Sequence, residues 1–177
     1  MMESAPSAFG AWTNFAMLIG TSAATLTGLV FVVITLVTRD SVSSSEGIKT
    51  FTTPTVLHFS TALFVSALIV VPWQVVIGPA IMIGLAGCYG VVHLIRAWLV
   101  SRHLNTYQPD LEDKISYTIL PIVAYCVLIA GAAFLVPAPR GAMFGLAAGL
   151  VLLTFLGIRN AWDLVTFIVG KQIDAPK

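Results

Sequence analysis

The sequence predicts an all-α integral membrane protein: a bundle of five transmembrane helices with its N-terminus outside and its C-terminus in the cytoplasm. Three observations predict it. The chain is 58% hydrophobic and only 10% charged, whereas soluble domains are about a quarter charged. It falls into five apolar runs, each near the ~20 residues that a helix needs to cross a bilayer. The basic residues sort to one side of those runs. A soluble fold of 177 residues has too little interior to hide so much apolar surface. A bilayer removes the difficulty by acting as the solvent.

The first helix is expected over residues 11–37, a stretch without a charge. It is much longer than the ~7–15-residue apolar core of a cleavable signal. Glu3 is the only charge before Arg39, so no basic segment precedes the run. It reads as a retained helix. The second helix is expected over 55–73, opened by Pro54 and closed near Pro72, because proline fits a first helical turn and breaks a later one. The third covers 75–100. The fourth covers 115–136 and ends at the Pro137–Ala138–Pro139 turn. The fifth covers 141–169; it is uncharged through Ile158, and helical periodicity continues to Val169. The period-two alternation of a membrane β-barrel is absent.

Orientation follows from the connections. Arg39, Lys49, Arg102, Lys114, Lys171 and Lys177 lie on one side and Arg140 alone on the other. Positive loops are retained in the cytoplasm during insertion. The long connections 38–53 and 101–114 and the C-terminus are therefore expected inside, in a multi-pass protein of the cell (inner) membrane. No connection is long enough to fold alone, so residues 1–177 read as a single transmembrane domain without a soluble one.

The net charge of +1 offers no basic surface for nucleic acid. The expected partners are the lipid bilayer and either further copies of the chain or another membrane protein. Cys88 and Cys126 both sit in apolar runs and read as small buried hydrophobes. No zinc-type spacing is present. The acidic loop residues Asp110, Glu112 and Asp113 do not fit a calcium loop, and no metal site is predicted.

Two kinds of small-residue stripe are visible. Gly141, Gly145 and Gly149 lie four apart on the fifth helix, and Gly84, Gly87 and Gly90 three apart on the third. Such series let a neighbouring backbone approach closely in lipid, within one chain or between chains. On the first helix Asn14, Thr21, Thr25, Gly28 and Thr35 share a face. That face suits either a pore lining or packing with each hydroxyl bonded to its own i−4 carbonyl.

The ionisable residues inside the spans gather toward the cytoplasmic half. His58, His93, Arg96, Arg159, Asn160 and Asp163 are expected to form a polar cytoplasm-facing cluster. Charged groups at membrane depth face the bundle interior or a watery cavity. The alternative for Arg96 and Arg159 is snorkelling to the headgroups beside Trp98 and Trp162.

These features favour an oligomeric channel or transporter for a small ion or solute. The other readings are a non-catalytic membrane subunit or regulator and, with less support, a haem protein ligated by His58 and His93. No catalytic residue is predicted: paired carboxylates, HExxH and nucleophile–histidine arrangements are missing.

Overall fold

The computed structural model describes residues 9–40, 45–103 and 115–173, and the side chains of 9–35, 53–99 and 117–166. A single 3-10 turn, Gly10–Trp12, leads into α1 (Thr13–Asp40). Then come α2 (Ser45–Val70), α3 (Ile77–His103), a π-helical turn at Ile115–Ile119 continuing into α4 (Leu120–Phe134), and α5 (Pro139–Ile173). All five long helices are long and apolar enough to span a membrane. Their outer surface is of the corresponding kind. Leu18, Phe144, Phe155 and Trp162 are each 65% exposed or more. Water would penalise such a surface, and hydrocarbon does not.

The helix ends differ in places from the sequence expectation. Pro54 does not open α2 but lies inside it, nine residues after its start at Ser45. Proline removes one backbone donor and disfavours helix in the residue before it. In membrane helices that break is tolerated where neighbouring groups re-satisfy the freed carbonyl. The fourth helix opens with a π turn. The fifth begins two residues early, with Pro139 at its first position, where a missing N–H costs nothing. The side chains of Arg39, Lys49, Arg102, Lys114, Lys171 and Lys177, which carry the orientation argument, lie outside the described residues.

The packing order is not the chain order. Helix α2 packs mainly on α1 and α5; α4 packs on α5 and α3; α3 meets α2 more lightly. Helices α2, α5, α4 and α3 therefore close a four-helix core, and α1 lies outside it against α2. Burial agrees: 50% of the most apolar stretch of α2 and of α5 is buried, against 22% for α1. The short α2–α3 connection is clamped by Trp73. Its indole Nε1 donates to the Leu68 carbonyl at 2.7 Å, and its ring lies over Gly78.

The glycine series do different things. On α3, a Cβ at Gly87 would come within 2.6 Å of Ile129, and one at Gly90 within 2.2 Å of the Tyr125 ring; Gly84 faces Ala132 at 3.7 Å. That stripe is the seat of α4. Of the Gly141–Gly145–Gly149 series on α5 only Gly149 is occupied, by Leu128 at 2.8 Å, whereas Gly141 and Gly145 meet nothing within 4 Å among the described residues. Gly149→Leu is therefore expected to destabilise the single chain by about 1–3 kcal/mol through overpacking. Gly145→Leu should change it by no more than about 0.5 kcal/mol. Thermal unfolding of both variants in detergent checks the contrast.

Candidate functional site

The site is a layer of polar side chains buried between apolar helices. Three helices supply it: His58 lies midway along α2 (Ser45–Val70), His93 in the second half of α3 (Ile77–His103) and Asn160 in the second half of α5 (Pro139–Ile173).

Contacts tie the layer across the bundle. Gly157 of α5 is covered by the Phe59 ring of α2, and this fixes their register. Asn160 follows Gly157 by one turn toward the long-connection end. On the opposite side the Tyr125 ring of α4 lies on Gly90 of α3, one turn from His93. Aromatic side chains in helices lean toward the helix N-terminus, so the Tyr125 hydroxyl drops from its Cα toward the layer. It lies 3.1 Å from Nδ1 of His58 and 3.4 Å from Oγ1 of Thr61. Tyr125 and His58 are fully buried. His93 packs beside Tyr89, with ring centroids 6.2 Å apart, and lies within electrostatic range of His58.

Four polar atoms of this layer have no hydrogen-bond partner although they are buried: Nε2 of His58, Nδ1 of His93, and both Oδ1 and Nδ2 of Asn160. A buried polar atom left unpaired costs about 1–3 kcal/mol. Such atoms usually find a protein group or an ordered water, and a polar residue at membrane depth marks a functional path. Four such atoms, on three helices, lack a partner among the described residues.

Nearer the end of the bundle, the Tyr117 hydroxyl donates to Oδ2 of Asp163, joining the start of α4 to α5. Asp163 follows Asn160 by one turn on α5, so the pair bounds the layer on the side of the C-terminal end of that helix. The opposite half is filled by Ile83, Leu128, Leu135, Met143, Leu146 and Leu150, all fully buried.

Of the residues expected in the polar cluster, His58 and Asn160 are buried and His93 is half-buried, with Asp163 one turn beyond Asn160 on α5. Arg96 and Arg159 are exposed and stand outside the layer. Tyr125 and Thr61 complete it and were not anticipated. A tyrosine inside an apolar run, opposite the Gly87–Gly90 pair that can seat its ring, is the signal that points to them.

The first-helix stripe lies away from this layer. Asn14, Thr21, Thr25, Gly28 and Thr35 are all exposed. Thr25 donates to the Thr21 carbonyl at 2.9 Å and Thr35 to the Phe31 carbonyl at 2.8 Å. Thr21 and Thr25 line an apolar groove of about 650 Å³ between α1 and α2, together with Gly20, Ala24, Leu63 and Ser66 among others. The Tyr125 side chain bridges Gly90 of α3 and Nδ1 of His58. Cys88 and Cys126 are exposed free thiols rather than buried ones. Among the described residues, no group of three or more histidine, cysteine or acidic side chains is placed to hold a metal ion.

Tyr125→Phe is expected to lower stability by about 1–3 kcal/mol, because His58 Nδ1 loses its partner while staying buried. Thermal unfolding in detergent checks this, with Cys126→Ser as an unaffected exposed neighbour.

Compared with known proteins, the chain matches no protein-family model, no curated protein and no solved structure.

Proposed function

We propose that this chain is a small transport protein of the cell membrane, with the His58–His93–Asn160 layer as its binding site, open toward the cytoplasm. The single observation that carries the reading is the set of four buried polar atoms, on α2, α3 and α5, without a hydrogen-bond partner among the described residues. The charge asymmetry of the connections assigns the mouth at Tyr117 and Asp163 to the cytoplasmic side. The apolar half beyond the layer speaks for a carrier that closes one side, rather than for a pore running through one copy. Alternating access of this kind moves helices around a site within the bilayer.

Substituted-cysteine labelling tests the reading without a known solute. In a Cys88→Ala, Cys126→Ala background, Asn160→Cys should react with a membrane-impermeant thiol reagent from the cytoplasmic face. Leu150→Cys, in the plug, should not react from either face. A thiol at position 160 that is inert from both faces overturns the transport reading.

A second reading concerns assembly. Gly28, Gly141 and Gly145 offer small faces that meet nothing within 4 Å, and such faces favour close contact between membrane helices. They support a homo-oligomer or a complex with another membrane protein. Native mass spectrometry in detergent tests it; a monomer unchanged by Gly28→Leu or Gly145→Leu counts against it.

A further inference from the structure

We infer that the species held by the polar layer is a proton, received at Nε2 of His58 and passed along a His58–Tyr125–Thr61 relay. The inference rests on the reading of that layer as a transport site and names its ligand.

Three observations narrow the ligand class. First, the helices around the layer stand too close for an organic solute. A single methyl group at Gly90 would lie 2.2 Å from the Tyr125 ring, and one at Gly157 2.4 Å from the Phe59 ring. Second, the layer holds no fixed charge to match an ion. Asp163 stands a turn away and accepts from Tyr117, while Arg96 and Arg159 are exposed. A metal cation finds no carboxylate and an inorganic anion no buried guanidinium. Third, every group in the contact chain can both donate and accept. Imidazole carries a proton on either nitrogen, and the tyrosine and threonine hydroxyls each have a donor and acceptor lone pairs. Histidine serves in proton relays inside membranes, and here two hydroxyl groups extend it.

Among the described residues, the titratable groups that act on His58 or on its partner Tyr125 are few: Tyr89 and His93 of α3 and Tyr125 itself of α4, while Asp163 of α5 is paired with Tyr117 beyond the layer. The described side chains of α1 include no titratable group. Nothing acidic therefore traps the proton in a permanent ion pair at Nε2.

The step balances as a shuttle. Hydronium from the cytoplasmic mouth gives its proton to Nε2 of His58 and leaves as water. The proton on Nδ1 moves to the Tyr125 oxygen as the tyrosine's own proton moves to Oγ1 of Thr61. The proton of Thr61 then leaves to water when the far side opens. One proton enters and one leaves, and no group ends with a changed charge. Tautomer exchange of the imidazole through water resets the chain.

The test is proton flux into proteoliposomes holding the full chain, driven by a potassium diffusion potential with valinomycin and followed by a trapped pH dye. Wild-type protein should carry flux that His58→Gln lowers about tenfold or more, the rate equivalent of one hydrogen bond to a charged group. Tyr125→Phe should lower it as well, whereas Arg140→Gln should not. A thermal midpoint for each variant separates lost relay from lost fold; His58→Asn serves where the glutamine variant unfolds. Equal flux in wild type and a folded His58 variant overturns the inference. If wild type moves no protons while Asn160→Cys still labels from the cytoplasmic face, the proton inference falls and the transport site stands. If neither flux nor labelling occurs, both fall.

Discussion

Replacing Gly90 with alanine is expected to unseat Tyr125 and to disconnect the polar layer from a residue that is not itself polar. The added Cβ would lie 2.2 Å from Cε1 of Tyr125 and 2.4 Å from Cδ1. Those atoms belong to a rigid ring, not to the end of a flexible chain, so the ring or the whole helix must shift. Overpacking of this kind costs about 1–3 kcal/mol. In a chain of this size that is a fall of several degrees in the thermal midpoint, at roughly 2–4 °C per kcal/mol. The functional loss should exceed the stability loss. A hydrogen bond weakens steeply with distance and angle, and the Tyr125 hydroxyl already stands 3.1 Å from His58. Gly141→Ala, where a Cβ meets nothing within 4 Å, should leave both properties intact. Thermal unfolding and proton flux measured on the same preparations check the pair. An unchanged midpoint in Gly90→Ala would mean that α3 and α4 do not approach as closely as described.

Asn160→Leu should act in the opposite direction on stability. The asparagine is only 1% exposed, and neither end of its amide has a partner in the protein. Leucine is similar in size and has no polar atoms to leave unsatisfied. Replacing an unpaired buried amide by an apolar group of similar shape removes a penalty of about 1–3 kcal/mol. The ligand-free variant should therefore unfold at a higher temperature than wild type and carry no flux. Stability gained at the expense of activity is the expected signature of a residue kept for its chemistry. A lowered midpoint would show instead that the amide is already satisfied in the resting protein, by water or a tightly held ligand.

The elements themselves were legible in the sequence because run length and charge are properties of a segment by itself. Five apolar runs became five helices long and apolar enough to span a membrane. Boundaries were less so. Pro54 looked like a helix start, and the structure carries the helix back to Ser45, since the cost of one missing donor is small beside that of stopping eight further residues. For the candidate site, depth was legible and facing was not. Counting residues from the ends of each run put His58, His93 and Asn160 in the half of the bundle expected toward the cytoplasm. It also placed Arg96 and Arg159 with them, because depth alone does not say which way a side chain points. Facing depends on which helices are neighbours, and α2 beside α5 is not deducible from order along the chain. The same gap hid Tyr125. Its role comes from Gly90 and His58, on two other helices.

The adjacency of α2 and α5 has a consequence for how the protein is made. The helix with the most to hide early in the chain must wait for the last one to emerge from the ribosome. Until α5 arrives, Phe59 has no glycine to rest on, although Tyr125 of α4 can already cover His58 and Thr61. Helices in a bilayer insert first and associate afterwards, so this interval is a real stage of biogenesis. Truncations that end before Gly157 should be recognised and degraded as unassembled chains, however well their first four helices insert.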